Sequence, residues 1–447
     1  MDVLLIEPPY YKLMGEVQFW VPIGLMNLAH FLNVAGFETR IYNADATPEF
    51  DEPKTLLYSE KFYRSGAVND SASPLWQHTF EELRQIVDHE SPKAIGISVK
   101  SDTVVSALYL LRFIRKRWPE IRLFVGGVHF TSVLDKTFLS VSDAIMVGEG
   151  EEMIVKVVKE LLQAGHSCTE SKIYINSKEF DLNSYVDMDL SQLETSQQQG
   201  ISRLTKLMIA SSRGCPFKCA FCFKSIDNNT AVRYVSGDLI GRLMIKSYKK
   251  YGISKFYFVD DTFGLNENQL LEFSNSIKGY ENIFRWSCMS HVNVLTKERL
   301  SLLQKLGCSA IHLGVESGSQ RMLDLMQKNI RIDDVVRCAD LVHQFGIELR
   351  AFILCGIPGE TSDDLNLTKQ MLQQIRPNEI AAQVYIPYQN TSLFQQLLQK
   401  RVIETIDWSC FVKSHIRYGI VQQNICDDPV IEDFFHFVDN WNASMQP

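Results

Sequence analysis

Short apolar runs alternate with segments of helical periodicity along nearly all of the 447-residue chain. This alternation is typical of parallel sheets whose strands are connected by helices. In residues 1–150 the runs are DVLLIEPP, ETRIYNAD, AIGISVK, IRLFVGGVH and DAIMVGEG. They predict a five-strand, doubly wound α/β domain over residues 1–165. Its helices are expected near residues 23–35, 78–88, 102–117 and 150–164.

A second alternation begins at Leu204 and predicts six further strand and helix units. Its apolar runs are KLMIASS, KFYFVDD, RWSCMSHVN, AIHLGVES, ELRAFILCGIP and EIAAQVYIP. Six successive units predict a partial (β/α)6 barrel over residues 204–395, whose open side needs a partner to cover it. The polar residues 166–203 are interpreted as a linker, and residues 396–447 as a short helical tail.

Charge and hydropathy narrow the possible functions. The formal net charge is −8, and the short basic runs are better explained as helix faces than as a phosphate-binding surface. No stretch approaches the roughly 18 apolar residues that indicate a membrane span. We therefore expect a cytoplasmic protein with no nucleic-acid partner and no membrane association. In that compartment thiols stay reduced, so closely spaced cysteines suggest a metal centre before a disulfide.

Three cysteines lie close together in SRGCPFKCAFC, directly after the first strand of the second alternation. In parallel α/β folds, chemistry gathers at the carboxyl ends of the strands. A structural zinc site needs four protein ligands, whereas three thiolates on a four-iron cluster leave one iron open to a further ligand. A zinc site completed by a distant cysteine or histidine remains an alternative, as do cysteines of no shared function.

SRGCPFKCAFC, together with FVDDTF, LGVESGS and GIPGET at the ends of later strands, resembles the radical SAM superfamily. The preceding domain, with PIGLMNLAHFL, GGVHFT and VGEGEE, resembles the cobalamin-binding domain of the cobalamin-dependent branch. The resemblance covers about residues 1–395. It implies that Cys215, Cys219 and Cys222 ligate a catalytic [4Fe-4S] cluster. The open iron would bind S-adenosylmethionine (SAM), which one electron cleaves to a 5′-deoxyadenosyl radical.

The resemblance also implies contacts to SAM. Phe221 would contact adenine through its backbone, and Asp260 or Asp261 would hold the amino group, since a carboxylate pairs with an ammonium. Ribose or amino contacts are implied for Glu316 and Ser317, and a tight turn beside the ligand for Gly356. Each has a structural alternative: the aspartates as a helix cap or surface pair, and the glycine as the end of a strand.

Cobalamin contacts are implied at the carboxyl ends of strands three, four and five of the first domain. The candidate residues are Ser98, Thr103, Gly126, Gly127, His129, Gly148, Glu149 and Gly150. The glycines have tight turns as their alternative explanation, and His129 a hydrogen-bonded position in the core. No histidine lies in a DxHxxG pattern, so cobalamin is expected to bind without a histidine on its lower face.

The family resemblance implies a cobalamin-dependent C-methyltransferase that moves methyl from methylcobalamin to an unactivated carbon. A small-molecule biosynthetic intermediate is the expected substrate, with a flavodoxin- or ferredoxin-type electron donor. The first alternative is a cyclase, ring-contraction or rearrangement enzyme of the same architecture without net methyl transfer. The second is a non-catalytic iron or zinc protein. The methylthiotransferases are disfavoured, since they carry three further cysteines in the first domain, and this chain has none before Cys168.

Overall fold

The computed structural model describes the chain in ten pieces and divides it into two compact units. The described residues are 1–10, 21–46, 74–132, 134–164, 171–184, 190–193, 204, 206–225, 231–401 and 428–445. The first unit extends to Leu204, and the second follows it.

A six-stranded parallel sheet forms the first unit, with the strand order β2-β1-β3-β4-β5-β6. The strands are β1 (Val3–Glu7), β2 (Thr39–Asn43), β3 (Ala94–Ser98), β4 (Arg122–Gly126), β5 (Ala144–Val147) and β6 (Lys172–Ile175). The longer helices are α1 (Ile23–Val34), α2 (Pro74–Glu90), α3 (Val104–Arg117) and α4 (Met153–Gln163). The predicted doubly wound fold is confirmed, with one strand more than expected.

The additional strand β6 lies inside the segment that was interpreted as a linker. It pairs in parallel with β5, from Ala144 opposite Lys172 to Val147 opposite Ile175. Farther on, Leu193 forms a parallel bridge to Ile41 of β2. The described part of residues 166–203 is therefore folded onto the first sheet. The strand was missed because β6 is a short edge strand whose residues are mostly exposed, so it has no buried apolar pattern.

The strand order of the first sheet reverses between β1 and β3. In open α/β sheets, this switch point opens a crevice at the carboxyl ends of the strands, where ligands bind. Lys100, in the segment after β3, forms an ion pair there with Glu7, the last residue of β1. The crevice of the first unit is thus bordered by charged side chains that the sequence analysis did not select.

The main sheet of the second unit has six parallel strands in the order β14-β13-β12-β11-β10-β7. Its strands are β7 (Leu207–Ile209), β10 (Lys255–Phe258), β11 (Arg285–Ser290), β12 (Cys308–Glu316), β13 (Glu348–Cys355) and β14 (Glu379–Val384). A small antiparallel pair follows β7, formed by β8 (Ser212–Arg213) and β9 (Arg233–Tyr234). Six parallel strands in chain order confirm the predicted partial barrel.

The helices of the second unit follow its strands in chain order. They are α5 (Gly237–Tyr251), α6 (Glu267–Ser276), α7 (Lys297–Lys305), α8 (Gln320–Leu325), α9 (Ile332–Gln344), α10 (Ser362–Ile375), α11 (Ser392–Gln399) and α12 (Asp428–Ser444). Along β12, Ile311, Leu313 and Val315 are completely buried, while Ala310 and Gly314 are half-buried. Since successive side chains of a strand point to opposite faces, the first set faces the helices and the second the concave side.

The C-terminal helix α12 packs on the edge strand β14. The Asn442 side chain accepts a hydrogen bond from the Ile380 amide and donates one to the Ile380 carbonyl, both at 2.9 Å. Trp441 Nε1 donates to the Pro377 carbonyl at 2.9 Å. These contacts cover part of an edge whose backbone groups would otherwise lack partners. Within the described ranges, no helix is both long and apolar enough to cross a membrane.

Candidate functional site

The cysteine loop leaves the carboxyl end of β7, and tertiary contacts hold it in place. The Cys219 side chain is buried, whereas Cys215 and Cys222 are half-buried, and none of the three forms a disulfide. Cys215 Sγ lies 3.4 Å from Thr262 Oγ1, in the segment after β10. The Ala220 amide donates to the Met326 carbonyl at 2.8 Å, and its carbonyl accepts from the Leu393 amide at 3.0 Å. Segments after three other strands thus anchor the loop.

Burial raises the pKa of two of the loop cysteines, Cys219 and Cys222. It raises the pKa of Cys222 to about 12, and it raises the pKa of Cys219, although the Lys328 charge opposes the latter shift. A thiolate here needs additional positive charge, and a coordinated metal centre supplies it. Three cysteines on one loop therefore fit an iron–sulfur cluster. In the part of the chain that the structure describes, no three His, Cys, Asp or Glu side chains are grouped to hold a single metal ion.

Asp260 fixes the start of the cysteine loop from the interior. It is 1% exposed, and its carboxylate accepts hydrogen bonds from Ser211 Oγ at 2.8 Å, from the Ser211 amide at 3.2 Å and from Ser212 Oγ. Burial raises its pKa to about 6, although these hydrogen bonds act in the opposite direction. Asp261 is more accessible and lies 3.2 Å from Lys224 Nζ. Of the two predicted carboxylates, Asp261 has the position open to a ligand.

The buried Asp260 carboxyl makes stability depend on pH. Its pKa in the folded state, about 6, lies above its usual 3.8, so the folded protein binds more protons between these values. Its contribution to stability is therefore complete below pH 4 and is lost as the pH rises through 6, at a cost of up to about 3 kcal/mol. Asp260→Asn should remove this dependence. Urea unfolding between pH 4.5 and pH 7 measures it.

The exposed Asp238, which pairs with Arg242 on α5, supplies the control for this prediction. Asp238→Asn should keep the pH dependence of the wild-type protein over the same range. If Asp260→Asn and wild type lose unfolding free energy in parallel as the pH rises, Asp260 is not the group responsible.

Glu316, at the end of β12, forms a buried ion pair with Lys328. Glu316 Oε1 lies 2.8 Å from Lys328 Nζ, and the two side chains are 12% and 6% exposed. The backbone of Glu316 is left-handed (φ 67°), at an irregularity in the pairing with β13. A Cβ on Gly314 would come within 2.8 Å of both charged groups, so the glycine makes space for the pair. Strained backbone of this kind often marks a functional site.

Lys328 connects this ion pair to the cysteine loop, because its charge lowers the pKa of Cys219. Nearby, the His291 ring stacks on Phe217 of the loop, with ring centroids 3.7 Å apart. Burial, and secondarily the Lys328 charge, lowers the pKa of His291 to about 3, so the ring is neutral. Sequence analysis missed Lys328 and His291. No motif marks either residue, since only the fold brings them to the loop.

The other predicted SAM contacts differ in accessibility. Ser317 is buried: its hydroxyl accepts from the Ser319 amide at 3.1 Å and lies 3.3 Å from Thr368 Oγ1. Gly356 is left-handed (φ 73°), and its amide donates to Glu360 Oε2 at 2.6 Å. Phe221 is half-buried within the loop. Ser317 thus has an evident role in holding the turn after β12, and the adenine contact of Phe221 stays a prediction.

In the first unit, the predicted glycines allow close approach of the protein's own backbone. Gly127 has φ 123°, and a Cβ there would lie 2.4 Å from the Val99 carbonyl oxygen. Gly148 has φ 93°, and a Cβ would lie 2.4 Å from the Asn176 carbonyl oxygen. Cβ atoms on the other two would meet neighbouring side chains: Gly126 at 3.3 Å from Met146 and Gly150 at 3.0 Å from Leu28. Internal packing is enough to explain these glycines.

His129 occupies an interior position. Its side chain is completely buried, with Nδ1 at 3.2 Å from Ser101 Oγ and Nε2 at 3.8 Å from Asp135 Oδ2. Burial lowers its pKa to about 4, against the opposing effect of Asp135. This placement favours the alternative of a hydrogen-bonded core histidine over a direct cofactor contact.

The remaining candidates of the first unit border the same carboxyl edge. Ser98 ends β3, and the buried Thr103 hydroxyl accepts a hydrogen bond from the Lys100 amide at 2.9 Å. Glu149, after β5, accepts from the Phe180 amide at 2.6 Å. The structure therefore brings the eight predicted residues to neighbouring strand ends, where several of them hold the domain's own loops.

Comparison with known proteins supports a division into two kinds of domain. Residues 209–372 match the model of the radical SAM superfamily, and residues 17–158 match the B12 binding domain. An uncharacterized methyltransferase of Pyrococcus horikoshii is 25% identical over 346 residues, 74% of each chain. The anaerobic magnesium-protoporphyrin IX monomethyl ester cyclase of Rubrivivax gelatinosus is 22% identical, across 98% of this chain and 78% of the cyclase.

A solved structure has a similar fold. The radical SAM methyltransferase TsrM from Kitasatospora setae, bound to tryptophan and a SAM analogue, superimposes with a TM-score of 0.67. The match covers 89% of this chain and 76% of TsrM, at 15% sequence identity. At that identity the likeness shows a shared fold.

Proposed function

Because this chain belongs to the radical SAM enzymes that carry a cobalamin-binding domain, we propose that it methylates an unactivated carbon of a small-molecule biosynthetic intermediate. The two matched domains imply the three predicted cofactors, a [4Fe-4S] cluster, SAM and cobalamin. When bound, they supply a carbon-centred radical and a transferable methyl group. The observation that carries the proposal is a loop with three cysteines, none in a disulfide, at the end of the first barrel strand.

Cys215, Cys219 and Cys222 hold the cluster in this proposal, and the Glu316–Lys328 pair receives the amino acid part of SAM. That part carries an ammonium and a carboxylate, which match the carboxylate of Glu316 and the ammonium of Lys328. The pair is buried next to the cysteine loop, where charged interactions are stronger than in water. Asp261 is the second carboxylate available for the ammonium of SAM, because the carboxylate of Asp260 already accepts hydrogen bonds from Ser211 and Ser212.

The first unit would hold cobalamin at the carboxyl ends of β1 and β3 to β5. The switch point between β1 and β3 supports this location, as do the short loops that Gly127 and Gly148 permit. His129 acts here by holding the segment after β4, through Ser101 and Asp135.

The proposed cellular location rests on the need to keep the cysteines reduced. We propose that the chain works in the cytoplasm, where cysteines stay reduced and a thiolate-bound cluster persists. None of the seven cysteines that the structure describes forms a disulfide. Reductive cleavage of SAM consumes one electron, so a flavodoxin- or ferredoxin-type protein is the proposed donor.

An oxidative cyclisation or rearrangement without methyl transfer is the second candidate. The observation in its favour is the relative from Rubrivivax gelatinosus, a cyclase that aligns with 98% of this chain. The methyl group in the product distinguishes the two candidates.

Metal analysis and isotope labelling test the proposal. The chain is purified anaerobically with cobalamin supplied, and about four irons, four sulfides and one cobalt are expected. The reduced enzyme is then incubated with a small-molecule cell extract and SAM carrying a deuterated methyl group. A product with an intact deuterated methyl supports the proposal. Iron without cobalt contradicts a methylcobalamin donor, and an unlabelled, rearranged product favours the cyclase candidate.

A further inference from the structure

Four polar side chains from four segments of the barrel lie close to one another. His312 of β12 is the direct register partner of Arg350 of β13. Tyr257 of β10 places its hydroxyl 3.4 Å from His312 Nδ1, and Lys206, just before β7, lies with Nζ 5.3 Å from the centre of the Tyr257 ring. We call these residues the basic cluster: Lys206, Tyr257, His312 and Arg350.

The basic cluster faces the concave side of the sheet. On β10, the neighbours of Tyr257 are the buried Phe256 and Phe258, and on β13 the neighbours of Arg350 are the buried Leu349 and Ala351. Because side chains alternate between faces, Tyr257 and Arg350 point away from the helices. The cluster therefore lines the concave face of this sheet. The cysteine loop follows the carboxyl end of β7 in the same sheet.

The cluster places two cationic side chains, Lys206 and Arg350, in a partly desolvated region. Burial, and then the Arg350 charge, lowers the pKa of Lys206. Burial followed by the charges of Arg350 and Lys206 lowers the pKa of His312 to about 4. Glu379 lies 3.0 Å from Arg350, but its side chain is 50% exposed. Two cations thus lie near a neutral histidine and one half-exposed carboxylate.

Arg350 also has unused hydrogen-bonding capacity. Its Nε atom is buried and has no hydrogen-bond partner among the described residues. A guanidinium presents its donors in a planar fork that matches a carboxylate or a phosphate. A buried donor without an acceptor is costly, so an acceptor supplied by a ligand would stabilise this arrangement.

The basic cluster lies nearer the amino ends of the strands than Glu316 and the cysteine loop do, and a substrate could span the distance between them. His312 precedes Glu316 by four residues on the same strand, which corresponds to about 13 Å at a rise of about 3.3 Å per residue. A molecule with its charged group at His312 and Arg350 would extend along the concave face toward the cysteine loop.

From this geometry we propose that the basic cluster binds an anionic group of the substrate, a carboxylate or a phosphate, and thereby orients a distant carbon for reaction. The inference rests on the proposed function and specifies its substrate class. Arg350 and Lys206 supply the charge, and the Tyr257 hydroxyl donates a further hydrogen bond. The substrate is accordingly an organic acid or phosphate ester whose reacting carbon lies several bonds from its charge.

Anion binding tests this assignment without a known substrate. Isothermal titration of the reconstituted, anaerobic protein with glutarate and with inorganic phosphate should show saturable binding of at least one, and the tighter anion identifies the charged group. Arg350→Gln and Lys206→Gln should each weaken that binding about tenfold, the loss expected for one charged hydrogen bond. Arg350→Lys, which keeps the charge, should lose less. Arg242→Gln, on the exposed side of α5, should bind like wild type.

Absence of saturable binding of both anions to the wild-type protein would overturn the assignment, as would an equal loss in Arg242→Gln. If Arg350→Gln does not fold, Lys206→Gln and Arg350→Lys decide the matter. SAM cleavage by the wild-type protein is measured on the same sample. Cleavage without anion binding removes the basic cluster from the substrate site and leaves the proposed function standing. Anion binding without cleavage contradicts the proposed function and supports the anion site.

Discussion

Replacing Cys219 with alanine lowers the iron content from about four per chain to near zero, because two thiolates cannot retain a cluster that already lacks a fourth protein ligand. Cys219 is the most buried of the three loop cysteines, and the loop that carries it is tied to Met326 and Leu393. Iron and sulfide analysis after anaerobic reconstitution measures the effect, together with visible absorbance. SAM cleavage should be lost along with the cluster.

Cys338→Ala is the matched control for this result. Cys338 is a free, buried cysteine on α9, away from the loop, so its replacement should keep iron content and SAM cleavage at wild-type levels. Retention of four irons by Cys219→Ala would exclude Cys219 as a ligand. Equal loss in both variants would indicate that iron content reports general instability.

Replacing Lys328 with methionine lowers the free energy of unfolding by about 3 kcal/mol, because it leaves the Glu316 carboxylate buried without its partner. The two charged atoms are 2.8 Å apart, and neither side chain is more than 12% exposed. The same change should abolish SAM cleavage, since the proposed partner of the SAM carboxylate is lost. Urea unfolding measures the first effect, and formation of 5′-deoxyadenosine the second.

A double variant separates stability from function. Lys328→Met with Glu316→Gln removes both charges, so most of the lost stability should return, because a neutral pair of similar size avoids the buried charge. SAM cleavage should remain absent. If the double variant cleaves SAM at the wild-type rate, the ion pair has a structural role only. If it is as unstable as the single variant, the stability loss does not come from the unpaired carboxylate.

Motif spacing located the cysteine loop, but it did not distinguish two adjacent aspartates. Asp260 and Asp261 were equivalent candidates in FVDDTF. Both lie in the segment after β10, and in the structure their surroundings differ: Asp260 is buried against Ser211 and Ser212, and Asp261 is accessible beside Lys224. The first of these contacts joins residues 49 positions apart, and no local pattern predicts it.

The glycine motifs of the first domain show a related limit of sequence analysis. GGVHFT and VGEGEE indicated a domain type, and a B12 binding domain matches there. Their glycines also satisfy close approaches of Gly127 to Val99 and of Gly148 to Asn176, each from a different segment. A sequence motif does not separate a glycine needed by a ligand from one needed by a neighbouring loop, because both needs select a residue without a side chain.

The sequence by itself determined the order of most strands and helices along the chain, the two stretches of alternating strand and helix, and the position of the cysteine loop, but it missed the edge strand β6. These features depend on hydrophobic periodicity and on spacing within a few residues. Only the tertiary structure decided which polar side chains lie in contact. Lys328 reaches Glu316 and the cysteine loop, and Lys206, His312 and Arg350 converge on one face. Such contacts depend on strand register and on side-chain burial, and both are set when distant segments pack together.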